Sequence, residues 1–542
     1  MTASFRTAAG GRIDRDRTIR FTFDGTTYRG HPGDTLASAL LANGVRLMGR
    51  SFKYHRPRGV LAAGAEEPNA LVTVDRGGGR WTPNLRATQV ELHDGLVATS
   101  QNRWPSLARD VGELNDLVPP GVFSAGFYYK TFMQPASAWA TLYEPFIRRA
   151  AGLGKAPVQA DPDHYTHRYA FCDVLVVGAG PAGLAAALAA AEGGARVILC
   201  DEQAEFGGGL LAERDATIDG VAAAGWVAST LATLAGLKRV TMLPRTQCFG
   251  AYAQNFFGLA QRLTDHLPHP DPRAPRERLW KVRAKQVVLA AGAIERPLVF
   301  PDNDRPGVML AGAARAYVNR YGAKPGDRAV VFTACDSGYA AALDLTAAGI
   351  VVSAVVDLRP GPEGSAAAGV REAGLDVRGN AVVTGVEGRL SVRAAQVAAI
   401  AASGLVGPSE RVSCDLVVMA GGWTPAVHLH SQMRGRLRFD AEREIYVPAT
   451  PVEGSRSAGA CNGAFGIAEA LAEGFAAGAD AARAAGREGP DRDWSPSVSG
   501  EIVPDGGFHG AVPHDRDVQK VKAFVDFQND VTEKDIPHAE RQ

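Results

Sequence analysis

Three glycines and one aspartate carry the clearest chemistry in this chain. Gly178, Gly180 and Gly183 stand at GxGxxG spacing, and Asp201 follows 23 residues after the first of them. Those residue types in that order suit the binding of a dinucleotide. The first glycine permits a tight turn, the second lets backbone approach a pyrophosphate, and the third lets a helix pack closely on a strand. An acid at the end of the next strand can accept a hydrogen bond from a ribose 2′-OH. Pro181 and Ala182 complete the turn, and Glu202 and Gln203 follow the acid. The adjacent carboxylates of Asp201 and Glu202 repel a 2′-phosphate, which favours NAD or FAD over NADP. Gly208 and Gly209 can lay backbone near the nucleotide, a plain turn being the alternative. Ala291 and Gly292, small residues at a later strand end, are expected to return to the same site.

A lone GxGxxG is a weak signal, so its flanking elements matter. Residues 173–177 are a short apolar run of the kind found in buried parallel strands. An Ala-rich helical run follows to Gly193-Gly194, then residues 195–199 give a second apolar strand. The whole stretch DVLVVGAGPAGLAAALAAAEGGARVILCDEQ therefore reads as one βαβ unit, with the helix N-terminus available to phosphates. A second unit follows, with strands at 329–332 and 351–356, a helix at 339–348 and Asp357 at its end. Laid on GxGxxG, its turn reads Thr333, Cys335, Gly338. Side chains at the first two positions block close approach of a pyrophosphate. This unit is expected to keep the fold and lack the nucleotide. Residues 416–419 read as another returning strand, and 464–485 as a closing amphipathic helix.

Upstream, Asp24-Gly25 between alternating runs at 18–23 and 26–29 signals a hairpin. Asp34 can cap a helix at 35–42 that ends in Asn43-Gly44. Hairpin then helix is the opening of a β-grasp, ferredoxin-like domain. Plant-type ferredoxins next carry a cysteine-bearing loop for a [2Fe–2S] cluster. Here that loop, residues 49–61, has no Cys, and none precedes Cys172, so the expectation is no Fe–S cluster. Its Arg50, Lys53, Tyr54, His55, Arg56 and Arg58 are read as a solvated loop or a contact for an anion or partner. Residues 104–160 are rich in aromatics, namely Phe123, Phe127, Tyr128, Tyr129, Phe132, Trp139, Tyr143 and Phe146. They suit a core or an inter-subunit face.

The expected domains are a flexible arm at 1–17, a ferredoxin-like domain at 18–104 and an aromatic helical connector at 105–168. A nucleotide-binding α/β domain at 169–486, with the second βαβ inserted at 325–415, and a linker and tail at 487–542 complete the chain. Lys+Arg and Asp+Glu both number 58, so the basic excess of a nucleic-acid-binding protein is missing. No apolar run is long enough to span a membrane, and the N-terminus has no secretory h-region. Six scattered cysteines argue against a disulfide framework or a metal site and suit a reducing cytoplasm.

Several segments, in order, resemble the alpha subunit of heterotetrameric sarcosine oxidase. They are FTFDGTTYRGHPGDTLASALLANG, RSFKYHRPRGV, FYYKTFM, the GxGxxG stretch, GGWTPAVHLHSQ and KAFVDFQNDVTEKDI. The resemblance runs from about residue 18 to 536. It implies a two-dinucleotide-binding (glutathione-reductase-like) Rossmann domain preceded by a cluster-free β-grasp domain. It also implies NAD on Gly178, Gly180, Gly183 and Asp201, with Glu202, Gln203, Gly208 and Gly209 as further neighbours. FAD is the alternative cofactor. In SAGACNG, residues 457–463, Ala460 follows Gly459 where FAD enzymes of this architecture carry Gly-Asp, which tilts the cofactor toward NAD. The family reaction converts sarcosine to glycine, formaldehyde and hydrogen peroxide. By that resemblance the amine is oxidised on a flavin-bearing beta subunit, with FMN near the alpha–beta boundary, and gamma and delta subunits complete the complex. No catalytic residue is then expected in this chain. Family alpha subunits continue into a folate-binding domain, whereas this sequence ends in EKDIPHAERQ, so folate binding is not carried over. The alternatives are an FAD-dependent oxidoreductase, the alpha subunit of a related opine, proline or hydroxyproline dehydrogenase complex, and a non-catalytic structural fragment.

Overall fold

The Asp24-Gly25 pair makes the hairpin that its residue types dictate. Both residues adopt positive φ, 47° and 79°, as a two-residue turn matched to strand twist requires. Ile19–Phe23 and Thr26–Gly30 pair antiparallel across it. Leu96–Ser100 joins Ile19–Phe23 in parallel, and Leu71–Asp75 and Trp81–Arg86 complete a five-stranded sheet. Helix Leu36–Ala42 is buried along its whole length. Its N-cap is Thr35, in a capping box with Ser38, rather than Asp34. The Asp34 carboxylate instead accepts from Ser38 Oγ, the His31 amide and Arg6. This computed structural model describes residues 4–117, 132, 134–452, 454–517 and 520–540; Phe123, Phe127, Tyr128 and Tyr129 lie outside them.

The chain forms two units, residues 1–162, 297–421 and 508–542 in one, and 163–296 with 422–507 in the other. The second βαβ thus joins the unit that begins the chain, and is not an insertion within one continuous 169–486 domain. Alternating apolar runs announce strands and helices, but they do not say which core a returning segment joins. In the same unit the N-terminal arm is held rather than flexible. The Phe5 amide donates to the Ala42 carbonyl, the Thr7 amide to that of Gly322 and the Arg12 amide to that of Arg320.

The Arg- and aromatic-rich loop at 49–61 is not a solvated one. Arg58 is buried and pairs with Asp530 and Asp304. Arg56 bonds Asp302, Asp304 and Asp116 at 2.7–3.0 Å. Phe524 lies 4.4 Å from the Arg58 guanidinium. The second Asp530 oxygen accepts from the Lys53 and Tyr54 amides. Residues 524–532 are a hairpin, Phe524–Asp526 against Val531–Thr532. The carboxylates reach these arginines from distant parts of the sequence, which is why local reading gave a surface loop. Just beyond, the buried Glu67 carboxylate accepts four amides, from Leu61, Ala62, Asn69 and Ala70. Its burial outweighs those bonds and pushes its pKa up to about 7.

In the other unit, the parallel order is Val240–Leu243, Val197–Cys200, His164–Val177 and Pro275–Leu289. Phe256–Arg262 and Thr246–Tyr252 extend the sheet antiparallel. The strands run longer than their apolar cores suggested, 164–177 and 275–289, because their first halves pair with each other and that of Pro275–Leu289 also pairs with Phe256–Arg262. Helix Pro181–Glu192 packs on Ile467–Ala484 through glycines. A β-carbon at Gly474 would meet the Ala182 carbonyl at 2.1 Å, and one at Gly478 that of Ala186 at 2.2 Å. Buried Asp173 is held ionised by the Arg196 amide, Lys285 and Arg487, which overcome its burial and lower its pKa.

Candidate functional site

The three glycines of the first turn meet three different surroundings. Gly178 has φ +94°, and a β-carbon there would lie 2.2 Å from the Ala290 carbonyl. At Gly183 the β-carbon would lie 1.8 Å from the Gly178 carbonyl. Both positions need glycine for the fold itself. Gly180 differs. Its φ is −74°, open to any residue, and its β-carbon would meet nothing nearer than Gly208 Cα at 3.9 Å. The protein leaves that side clear, which is the clearance a pyrophosphate needs.

Gly180 is the N-cap of the Pro181–Glu192 helix, and Pro181 is its first residue. Proline suits that position because its missing N–H would find no partner there. The Leu184 amide makes a helical bond to the Gly180 carbonyl at 2.9 Å. The Ala182 and Gly183 amides precede it, so they have no carbonyl within the helix to bond. They and the helix dipole form a ready anion site.

Asp201 closes the cradle from the adjacent strand. Its Oδ2 accepts from the Ala179 amide at 2.7 Å and its Oδ1 from the Gln203 amide at 2.8 Å. The carboxylate thus organises the turn. The Glu202 carbonyl accepts from Arg262 at 3.0 Å. Gly208, at φ +55°, packs its Cα against Gly180, where a side chain on it would clash at 2.8 Å. Nothing lies within 4 Å of a β-carbon built on Gly209. Ala291 and Gly292 follow the end of Pro275–Leu289, and Gly292 takes φ +77°.

Two residues not expected from the sequence fasten this region. The buried Cys461 thiol bonds the Leu289 carbonyl at 3.0 Å and the Ala458 carbonyl at 3.3 Å, tying the 291–292 turn to the 458–462 turn. Its burial pushes the thiol pKa up to about 11. Glu473, on the Ile467–Ala484 helix, accepts from the Gly459 amide at 3.0 Å and from Asn462 at 3.2 Å. Next to Ala460, where the Gly-Asp carboxylate was missing, a carboxylate is therefore supplied from elsewhere in sequence. Its helical position hid it from a motif search.

The second turn is filled by its own side chains. Thr333 Oγ1 donates to the Cys335 carbonyl at 2.5 Å and accepts from the Cys335 amide at 3.1 Å. Cys335 is fully buried, its Sγ 3.0 Å from Ser337 Oγ. Asp357, the counterpart of Asp201, pairs with Arg359 and accepts from Tyr339 at 2.5 Å. Arg359 also bridges to Asp336 in the turn at 2.8 Å.

The family model that matches residues 172–449, more than half of the 542 residues, is that of pyridine nucleotide-disulphide oxidoreductases. The chain belongs to that family. It is also a homologue of the alpha subunit of sarcosine oxidase. It is 48% identical to that subunit of Rhizobium meliloti (strain 1021) over all of this chain and 53% of the relative. It is 40% identical to the one of Corynebacterium sp. (strain P-1), over 97% of this chain and 50% of the relative. The chain spans about half the length of these relatives. Among solved structures, L-proline dehydrogenase from P. horikoshii shares the fold. The TM-score is 0.61 at 19% identity, over 90% of this chain and 76% of that one.

Residues 16–103 match the model of a 2Fe-2S iron–sulfur cluster binding domain. This corrects the expectation of a cluster-free domain, since a match to that model indicates a [2Fe–2S] cluster. The residues in hand do not fit one. The six cysteines are 172, 200, 248, 335, 414 and 461, all outside the match. Among the described residues no group of three or more His, Cys, Asp and Glu could hold a metal ion. Among the described residues no helix is long and apolar enough to cross a membrane.

Proposed function

We propose that this chain is the dinucleotide-binding part of the alpha subunit of a multi-subunit sarcosine oxidase. The observation that carries the reading is the 48% identity to such a subunit along the whole chain, combined with an open first turn. In this reading the protein has a two-dinucleotide-binding, glutathione-reductase-like architecture with one working site. Gly178, Gly180, Pro181, Ala182 and Gly183 receive the pyrophosphate, and Asp201 takes the ribose. Glu202, Gln203, Gly208, Gly209, Ala291 and Gly292 line the remainder. The nucleotide is NAD or FAD. Ala460 favours the first, whereas the Glu473 carboxylate beside Gly459 favours the second. A bound dinucleotide supplies hydride-transfer chemistry; this chain's residues bind and orient it.

Oxidation of the secondary amine is assigned to a flavin-bearing partner subunit, so no residue here acts as acid, base or nucleophile toward sarcosine. The apolar Trp139, Leu142 and Phe146 are exposed on residues 139–150, a pattern that marks partner surfaces. The six free cysteines suit a reducing cytoplasm. The test is co-expression with beta, gamma and delta subunits, followed by oxygen uptake with sarcosine and mass spectrometry of the nucleotide released on denaturation. The expected result is uptake by the complex and none by the isolated chain. Uptake by the isolated chain with a visible flavin spectrum would establish the free-standing FAD oxidoreductase instead.

A further inference from the structure

Tyr169 and Phe171 are 70% and 71% exposed, and Tyr165 is 50% exposed, on a strand that runs straight into a buried core. That strand, His164–Val177, pairs with Pro275–Leu289 on one side along nearly its whole length. On its other side Val197–Cys200 begins to pair only at Val174. Among the described residues no strand pairs with residues 166–171 on that side, so they present a sheet edge. Side chains alternate across a sheet, so Tyr165, Tyr169 and Phe171 share one face. The pairing carries that face onward. Phe171 stands opposite Arg283, Arg283 opposite Phe256, and Phe256 opposite Tyr252. Phe249 lies over Gly258 beside them. Lys281 sits 5.0 Å from the Tyr169 ring centre, and Arg283 5.3 Å from that of Phe256.

The unit's own core does not use this face. Phe257, Leu259, Trp280 and Val282 point to the opposite side and are buried there. Free edges are normally blunted with charge, proline or a bulge, because they template pairing with another chain. Here the edge is long, and its exposed face is aromatic, with Lys281 and Arg283 among the rings and Glu277 opposite Tyr165.

We propose that the 164–171 edge and the aromatic face beside it dock an extended acidic segment of a second, different polypeptide, which adds as a strand. The inference rests on the reading of this chain as one subunit of a multi-subunit oxidase. Lys281 and Arg283 select the occupant. In a two-fold contact between copies this face meets itself and brings like charges together, whereas acidic side chains neutralise them and leave the rings to bury.

The experiment uses the full chain co-expressed with the flavin-bearing amine-oxidising subunit. Amide exchange is followed over residues 164–171 in the isolated chain and in the complex. Association is then measured for the Tyr169→Glu/Phe171→Glu double variant and, separately, for Lys281→Glu/Arg283→Glu. The expected result is protection of 164–171 only in the complex, and association weakened about tenfold or more in each variant. Both variants should retain their nucleotide, because these residues lie outside the glycine turn. Rising salt should weaken the unmodified association. Unchanged exchange at 164–171 with full association of both variants would overturn the docking surface and leave the subunit reading standing. Protection that depends on chain concentration, with a dimer by light scattering, would overturn it in favour of a second copy. Failure of the unmodified chain to associate at all would overturn the subunit reading and the surface together.

Discussion

At the first turn, a β-carbon added to Gly180 would find its nearest neighbour 3.9 Å away. At the second, the equivalent residue is Cys335, fully buried against Ser337. The acids ending the following strands differ in what they hold. Asp201 accepts from the Ala179 and Gln203 amides of its own turn, whereas Asp357 pairs with Arg359 and accepts from Tyr339. Both units form the strand–turn–helix–strand order, and both keep the third glycine. The third glycine is what the fold requires in both turns; in the first turn Gly178 serves the fold as well, and the middle position, Gly180 against Cys335, decides whether a ligand can enter. A β-carbon on Gly183 would strike the Gly178 carbonyl, and one on Gly338 would strike Thr333 Oγ1 at 2.4 Å.

The largest effect is expected at the position the two turns share. Gly183→Val forces a side chain against backbone, so it should destabilise the compact unit of residues 163–296 and 422–507 by roughly 3 kcal/mol or more. Thermal melting should show this with or without nucleotide; a native melting curve would break the packing account.

Next is Gly180→Val, which separates ligand clearance from folding. Nucleotide content by mass spectrometry should fall by about a hundredfold, as for loss of close backbone approach to a pyrophosphate. The melting temperature of the protein stripped of nucleotide should move by less than about 3 °C. Retained nucleotide would show that the open side of Gly180 serves something else.

A smaller change is expected from Asp201→Ala. It removes one charged acceptor from the ribose and two bonds from the turn, and should weaken nucleotide binding by about 1–3 kcal/mol in a titration. NADP should gain relative to NAD in this variant, since the acid that repels a 2′-phosphate is gone. Equal affinities before and after would remove Asp201 from the site.

The smallest effect comes from converting the second turn toward the first. Thr333→Gly with Cys335→Gly should cost about 1–2 kcal/mol in stability through lost turn bonds and added chain entropy. It should gain no nucleotide, because Arg359 still bridges Asp336 and Asp357 across the turn. A second equivalent of nucleotide in this variant would show that two side chains alone had closed the site.

The first turn was legible because its constraints are local. Gly178, Gly180, Gly183 and Asp201 lie within one βαβ unit, where residue type and spacing alone fix the backbone. The Asp24-Gly25 hairpin and the substitutions at Thr333 and Cys335 were legible for the same reason. The tertiary structure decided what depends on distant partners. It buried Arg56 and Arg58 by bringing Asp302, Asp304 and Asp530 to them, and it placed Glu473 beside Gly459. It also assigned residues 297–421 to the unit that begins the chain and started the pairing of Val197–Cys200 only at Val174, beyond residues 166–171. A charge or an apolar face in sequence states only that a partner is needed; which residue supplies it is fixed when the chain folds and separated segments share one low-dielectric interior.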